Sequence, residues 1–203
     1  MENTPKKFLV VGLGNPSPEF QKTLHNAGFW VVENFLLGKT TLENKKKIHA
    51  RVAEIKTSEQ ELFFILPQTF MNNSGLSVRE AQSFWKIRTT EIILIHDDSD
   101  LSLGQIKITY GQSSGGHKGV ESIIKSLGNS NFTRIKVGIR PQIFQSAEKE
   151  RVKAEKFVLK NVKEEVITQV GKTGAAALKM VLEDGREQAM NAFNGKITPS
   201  PFL

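Results

Sequence analysis

The stretch FLVVGLGNPSPEFQKTLHNAG, residues 8–28, decides the fold. Its four leading residues are apolar and are soon followed by two glycines, which is typical of a buried strand that ends in a sharp turn. Two prolines then prevent the chain from continuing as strand or helix. Ligands of α/β proteins bind at the carboxyl ends of such strands. We therefore expect Asn15, in the turn, and His25, further along the same stretch, to face one another across a single cleft.

The composition predicts one soluble globular domain that spans residues 1–203. Hydrophobic residues make up 38% of the chain and charged residues 24%, which is enough apolar material for a full core at this length. No apolar run approaches the roughly 18 residues that a membrane span needs, and the N-terminus lacks the pattern of a signal peptide. The chain has no cysteine, so disulfides, zinc–thiolate sites and cysteine nucleophiles are excluded. We expect a cytoplasmic protein with no membrane association.

The charge distribution points to a polyanionic partner. The net charge is +7, and residues 134–196 contain 13 basic and 8 acidic side chains, so most of the excess lies in the last third. Basic domains of this kind bind nucleic acid, because contacts with phosphates release counterions. The alternative is a solvated surface whose charge only keeps the protein in solution.

Strand patterns alternate with helical patterns along the rest of the chain. Strands are predicted at 48–56, 62–66, 92–95, 105–110 and 134–139, helices at 24–37, 78–86, 120–128 and 163–194, and a short packed segment at 157–162. The last helix is expected to be interrupted or bent near Gly171 and Gly174, and the basic run 45–47 to form a loop or strand edge. This order predicts an α/β fold, in which a twisted mixed sheet has a mostly parallel core, an antiparallel edge and helices on both faces.

The turn GLGNPS resembles the glycine-rich fingerprint of dinucleotide-binding proteins. However, Ser17 stands where the third glycine belongs. The two prolines also crowd the turn where the N–H groups of a helix end would hold a pyrophosphate. We therefore do not expect a nicotinamide cofactor.

The run from Gly111 to Gly115, GQSSG, matches the G-x-S-x-G motif of serine hydrolases. An α/β-hydrolase places its acid and then its histidine after the serine, but the only histidine after Ser113 is His117, four residues on. A loop that lines a cleft explains the motif better than a nucleophilic serine.

The run His96-Asp97-Asp98-Ser99-Asp100 contains the residue types of a divalent metal site. Alternate residues of a strand point to opposite faces, so at most two of these groups converge. A different interpretation is that one carboxylate at a strand end orients a histidine supplied by the first loop. His25 is the candidate for that histidine, although a lone histidine is more often structural, and Asn72 could equally cap a helix.

Five motifs occur in one order along the chain: VGLGNPSPEFQKTLHNAGF (11–29), PQTFMNNSG (67–75), HDDSDLSLG (96–104), GGHKGVESI (115–123) and FTRIKVGI (132–139). In these motifs the chain resembles the bacterial peptidyl-tRNA hydrolase family over nearly its whole length. The resemblance implies an enzyme that cleaves the ester between a peptide and the terminal ribose of tRNA, and so recycles tRNA. Water would be the nucleophile, with no metal and no cofactor.

The resemblance also assigns catalytic roles to individual residues. His25 falls on the general base of the family, and Asp97 on the aspartate that holds its ring. Asn15 corresponds to the asparagine that helps to distinguish a blocked amine from a free one. Since a neutral imidazole is mostly unprotonated at pH 7, it can accept a proton from water.

Further residues are assigned to substrate by the same resemblance. Those expected to contact the peptide or the terminal nucleotide are Phe20, Phe70, Asn72, His117 and Lys118, and those expected to contact the tRNA backbone are Lys107, Arg134, Lys136 and Arg140. The chain is expected to be a monomer that requires no protein partner.

The chain departs from the family pattern at four places. Lys118 stands where an asparagine is common, Leu24 replaces an arginine, and Phe20 replaces a tyrosine. The segment at Arg140-Pro141 is shorter than usual. Two alternatives to the enzyme remain open from sequence: an RNA-binding relative without catalytic activity, and a metal hydrolase that uses Asp97 and the acids after it.

Overall fold

The computed structural model describes residues 5–140 and 158–195. Its strands are Lys6–Gly12 (β1), Glu43–Lys45 (β2), Ala50–Lys56 (β3), Gln60–Pro67 (β4), Ile92–Ser102 (β5), Ile106–Tyr110 (β6) and Thr133–Arg140 (β7). Its helices are Ala27–Leu36 (α1), Ser74–Trp85 (α2), Lys118–Leu127 (α3), Glu164–Glu183 (α4) and Arg186–Phe193 (α5). Short 3-10 turns lie at Pro18–Phe20, Leu24–Asn26, Lys46–Ile48, Met71–Asn73 and Thr89–Glu91.

The seven strands form one mixed sheet in the order β2-β3-β4-β1-β5-β7-β6. The four central strands, β4, β1, β5 and β7, pair in parallel. β2 and β3 are antiparallel at one side and β6 at the other. The predicted mixed sheet with a parallel core is therefore confirmed. β1 lies in the middle, so the turn after it opens at the centre of the sheet's carboxyl edge.

Helices cover both faces of the sheet. Along β1, Val10 packs into the core beneath α1, α4 and α5, whereas Leu9 and Val11 pack into the core beneath α2 and α3. This double burial explains why residues 8–11 of the strand are apolar at consecutive positions rather than at alternate ones. None of the helices in the described ranges is both long enough and apolar enough to cross a membrane.

The long C-terminal helix differs from its prediction. α4 continues without interruption through Gly171 and Gly174, so the predicted interruption there is wrong. Both glycines face α1, where a Cβ at Gly174 would collide with the side chain of Val31. They permit close packing of two helices, and the helical stretch is instead divided at Gly185, which has a φ of 88°.

Two other segments matter for the site. β5 extends to Ser102 rather than ending at residue 95, so the acidic run lies inside a strand. The predicted packed segment begins at Phe157, which lies outside the described residues, but Val158 and Val162 pack against the core. The backbone N–H of His25 donates to the backbone carbonyl of Val158 at 2.9 Å. The interpretation of residues 1–203 as a single domain stays a prediction.

Candidate active site

The predicted catalytic residues converge at the carboxyl edge of the parallel strands. Asn15 follows β1, and His25 lies in the 3-10 turn that precedes α1. Asp97 belongs to β5, and His117 is the residue before α3. Since β1 and β5 are parallel neighbours, their ends deliver side chains from distant parts of the chain to one place.

His25 and His117 both bind Asp97. His25 Nδ1 and His117 Nε2 each lie 2.9 Å from the same oxygen, Asp97 Oδ1. His117 Nδ1 accepts hydrogen bonds from the backbone N–H groups of Gly119 and Val120, at 3.1 and 3.4 Å. Its Nδ1 is therefore unprotonated, so Nε2 carries the proton and donates it to Asp97. His117 thereby caps α3 and holds the carboxylate at the same time.

The contact with Asp97 selects the useful tautomer of His25. When Nδ1–H donates to the carboxylate, the lone pair of Nε2 stays free to accept a proton. Burial lowers the pKa of His25, but the charge and hydrogen bond of Asp97 outweigh burial and raise it above the ordinary value of 6.5. The nearby charge of Lys118 acts in the opposite direction.

Asp97 remains charged although it is almost completely buried. Burial by itself raises the pKa of the carboxyl group, but the electrostatic interactions and hydrogen bonds with His117 and His25 lower it far below its ordinary value of 3.8. The two histidines therefore keep an anion in the protein interior, where it can stabilise positive charge on the His25 ring.

His96 supports Asp97 from the preceding position of β5. Its Nδ1 lies 2.7 Å from the Asp97 carbonyl oxygen, so Nδ1–H donates to that carbonyl. Burial is the main cause that lowers the pKa of His96 to about 3, and the electrostatic interaction with His117 acts in the same direction. His96 therefore stays neutral and holds the backbone that carries the carboxylate.

Asn15 is held in one orientation by its neighbours. Its backbone N–H and carbonyl bind the side-chain amide of Asn26, at 2.8 and 3.0 Å. Its own Oδ1 accepts the N–H of Met71 at 2.9 Å. Because Oδ1 is the acceptor, the side-chain amide cannot be flipped, and Nδ2 is left as a donor. Asn26, the residue after His25, is not among the predicted site residues, although an asparagine can both donate to and accept from a backbone turn.

Comparison with known proteins agrees with this arrangement. The family model described as peptidyl-tRNA hydrolase matches residues 9–200. The chain belongs to the peptidyl-tRNA hydrolase family. It is 37% identical over 191 residues to the peptidyl-tRNA hydrolase of Citrifermentans bemidjiense, covering 93% of this chain and 98% of that relative. The crystal structure of the Acinetobacter baumannii peptidyl-tRNA hydrolase superposes with a TM-score of 0.80 and 30% identity, over 96% of both chains.

Four of the five substrate residues predicted from the family lie at least partly at the surface. Asn72 is exposed beside Met71, and the ring of Phe70 is 59% exposed. Phe20 is partly exposed at the end of its 3-10 turn, and Lys118 is exposed at the start of α3. Their contacts with substrate stay predictions. His117 differs from the other four, because both of its ring nitrogens are already hydrogen-bonded within the protein.

Arg134 is buried and is therefore not available to contact the tRNA backbone. Its side chain is only 1% exposed, so the predicted surface contact is corrected. Nη1 donates to the Ser113 carbonyl at 2.8 Å, which holds the 111–116 loop against the sheet. That loop leads into His117, so Arg134 acts from beneath the site rather than from the surface.

The other three predicted tRNA contacts differ in their availability. Lys107 is exposed on β6. Lys136, its cross-strand neighbour, lies 2.6 Å from Asp98 Oδ2. Arg140 donates to the Ser99 carbonyl at 2.8 Å and to Asp100 at 3.2 Å. Lys107 is thus the one member of this group that is exposed and has no acidic partner among the described residues.

The acids that suggested a metal site point to different partners. Asp98 lies against Lys136 and also accepts the backbone N–H of Asp100 at 2.8 Å. In the described part of the chain, the group compatible with metal ligation is instead His25, Asp97 and His117, whose ligand atoms lie within 4.8 Å of one another. Because His117 Nδ1 accepts two backbone N–H groups, its Nε2 carries a proton and offers no lone pair to a metal. We therefore interpret the three side chains as a hydrogen-bonded group.

Proposed function

We propose that this peptidyl-tRNA hydrolase cleaves the ester between the peptide and the 3′-terminal ribose of tRNA with a water molecule that His25 activates. The observation that carries this mechanism is the 2.9 Å contact between His25 Nδ1 and Asp97. This contact leaves Nε2 of His25 as the basic atom. The His25 side chain is 16% exposed, so solvent can reach it.

The reaction follows from this arrangement in two steps. In the first, Nε2 takes a proton from water as the water oxygen attacks the ester carbonyl, and a tetrahedral oxyanion forms. Asp97 stabilises the imidazolium that results, and His117 keeps Asp97 in place. In the second step, the carbon–oxygen bond to the ribose breaks, and the ribose oxygen takes the proton from Nε2. The products are a tRNA with a free terminal hydroxyl and a peptide carboxylic acid, which then loses its remaining proton to solvent.

Asn15 is proposed to distinguish peptidyl-tRNA from free aminoacyl-tRNA. Its Nδ2 offers N–H donors at a buried position, since Oδ1 is engaged by Met71. The carbonyl of a peptide or of a blocked amine can accept such a donor. A free α-ammonium group has donors only, so it would lose water without gaining a partner. Asn72, Phe20 and Phe70 are proposed to bind the remainder of the substrate.

The enzyme is proposed to act as a monomer in the cytoplasm, without a metal and without a protein partner. One chain supplies every group in the site. Size-exclusion chromatography of the active protein tests the monomer, and activity in EDTA tests independence from metals.

The decisive experiment compares variants of two histidines. Release of tRNA from N-blocked aminoacyl-tRNA is measured for the wild type, for His25→Ala and for the control His49→Asn. His49 is exposed and lies outside the site. We expect His25→Ala to lose at least about 10²-fold in kcat, as is typical of a lost general base. His49→Asn should keep the wild-type rate. Undiminished turnover by His25→Ala would overturn the mechanism.

A further inference from the structure

We propose that a second basic surface, which we call the lysine edge, binds phosphates of the tRNA substrate outside the catalytic cleft. It consists of Lys45, Lys46, Lys47, Phe84 and Lys86. The inference rests on the proposed function, because it names a further contact with the same substrate. None of the sequence motifs used to assign the site includes these residues.

The lysine edge combines ammonium groups with an exposed aromatic ring. Phe84 is 42% exposed. Lys45 Nζ lies 4.3 Å and Lys47 Nζ 5.4 Å from the centroid of its ring. Trp85 beneath them is stacked on Phe63, with ring centroids 4.6 Å apart, so the platform is anchored in the core. Ammonium groups beside an aromatic face are the elements with which proteins hold nucleic acid phosphates and bases.

The lysines of this surface are free of acidic partners. Within residues 5–140 and 158–195, no ion pair involves Lys45, Lys46, Lys47 or Lys86. By contrast, Lys136 is neutralised by Asp98 and Arg140 by Asp100. Unpaired cations release counterions when they bind phosphates, whereas paired cations must first break an ion pair with a carboxylate. The lysine edge therefore has more charge available for RNA than the predicted contacts at the other side of the sheet.

Strand register places Lys45, the first residue of the lysine edge, at the same edge of the sheet as the catalytic residues. Lys45 pairs with Ala50, and Ala50 pairs with Pro67, the last residue of β4. At the other side, Lys107 pairs with Lys136, and Lys136 with His96. Three strand spacings separate β2 from β1, and three separate β6 from β1. With about 4.8 Å per spacing, the backbone positions of Lys45 and Lys107 lie roughly 14 Å from β1, on opposite sides of it.

Protection of the sheet edge explains only part of this surface. Lysines on an edge strand discourage pairing with another chain, and β2 is an edge strand. That function does not require an exposed phenylalanine from α2 beneath the ammonium groups. A polyanion that carries aromatic bases accounts for both components, and the RNA brought to the cleft by its terminal ester is such a polyanion.

The test uses a triple variant, Lys45→Ala with Lys46→Ala and Lys47→Ala, and a matched control, Lys39→Ala. Lys39 Nζ also lies over a phenylalanine ring, 3.6 Å from the centroid of Phe35, but belongs to no cluster. The kinetic constants are measured over a range of salt concentrations with N-blocked aminoacyl-tRNA. They are measured again with the same N-blocked aminoacyl ester on adenosine, which lacks a phosphate backbone. Binding of deacylated tRNA is measured in parallel.

We expect the triple variant to raise the KM for the tRNA substrate by about tenfold or more near 0.1 M salt. The slope of log(kcat/KM) against log[salt] should become shallower by about 2, because each lost phosphate contact contributes about 0.7–0.9. The adenosine ester should be hydrolysed at the wild-type rate. Arginine at all three positions should restore tRNA binding, and Lys39→Ala should behave as wild type.

Two results would overturn the inference. One is an unchanged KM and salt slope with the tRNA substrate. The other is an equal loss with the adenosine ester, which would show that the variant disturbs the catalytic centre. If the wild type hydrolyses neither substrate, the proposed function is wrong. The binding of deacylated tRNA then decides the lysine edge by itself, since unchanged binding by the triple variant would exclude it.

Discussion

Replacing Asp97 by asparagine separates the charge of this residue from its geometry. His25 and His117 both donate to Asp97 Oδ1. The amide oxygen of an asparagine can accept both of these hydrogen bonds. The opposite orientation is disfavoured, because it would place the NH₂ group against two N–H donors and lose both hydrogen bonds. We therefore expect Asp97→Asn to keep the position and the tautomer of His25 but to lose the negative charge.

The expected loss of rate follows from the charge alone. Two unit charges roughly 4 Å apart attract one another by about 4 kcal/mol at an effective dielectric constant of about 20. The dipole of the amide recovers a part of this attraction for the imidazolium, so about 3–4 kcal/mol of transition-state stabilisation is lost. Since about 1.4 kcal/mol corresponds to a factor of ten, kcat should fall by about 10²–10³.

The pH dependence provides a second measurement on the same variant. Asp97 raises the pKa of His25, and His25 must be unprotonated to act as a base. Removing the charge lowers that pKa, so the acidic limb of the kcat/KM profile should move to lower pH. Release of tRNA from N-blocked aminoacyl-tRNA is measured from pH 5 to 9, with Asp98→Asn as the control. A rate within threefold of wild type, or an unmoved limb, would refute the role of Asp97.

Three further outcomes are expected. Asn15→Ala should reduce the preference for N-blocked over free aminoacyl-tRNA by about tenfold or more, because a buried hydrogen-bond donor is lost; an unchanged ratio of kcat/KM values would remove that role. Arg134→Met should lower kcat by about tenfold by releasing the loop that leads to His117. This loss should largely disappear in a His117→Ala background, whereas purely additive effects would indicate a general loss of stability. EDTA should leave turnover unchanged, and inactivation that zinc reverses would favour a metal hydrolase.

The central architecture could be predicted because its signal is local. The apolar run at residues 8–11 packs into the cores on both faces of the sheet. A strand buried in this way is a continuous apolar run, which is easily recognised in a sequence. The polar residues after β1 and in β5 then follow from the direction of parallel strands. The pairing of His25 with Asp97, rather than with Asp98 or Asp100, came from the family motif, since spacing alone did not distinguish the three acids.

Burial of the basic residues on β7 could not be predicted in the same way. Arg134 and Lys136 are two positions apart and therefore share a face of the sheet. They differ in exposure because the 111–116 loop covers the first and binds it through Ser113. That cover depends on a contact between residues far apart in sequence, for which the pattern of a single strand contains no signal.

The glycines of α4 show the same limit. Gly171 and Gly174 are poor helix formers, and a sequence pattern reads them as a weak point. In the structure they bring α4 close to α1, and the helix is stabilised by packing rather than by propensity. His117 is similar, since its capping of α3 determines which nitrogen faces Asp97, and a sequence does not contain that geometry.

The central claim is that His25 is the general base, and its own titration tests this claim most directly. The pKa of the His25 ring is measured by NMR in the free enzyme and compared with the pKa of the acidic limb of kcat/KM. We expect the two values to coincide above 6.5, the ordinary value for histidine, and to fall together in Asp97→Asn. A kinetic pKa that does not follow the titration of His25 would contradict the account.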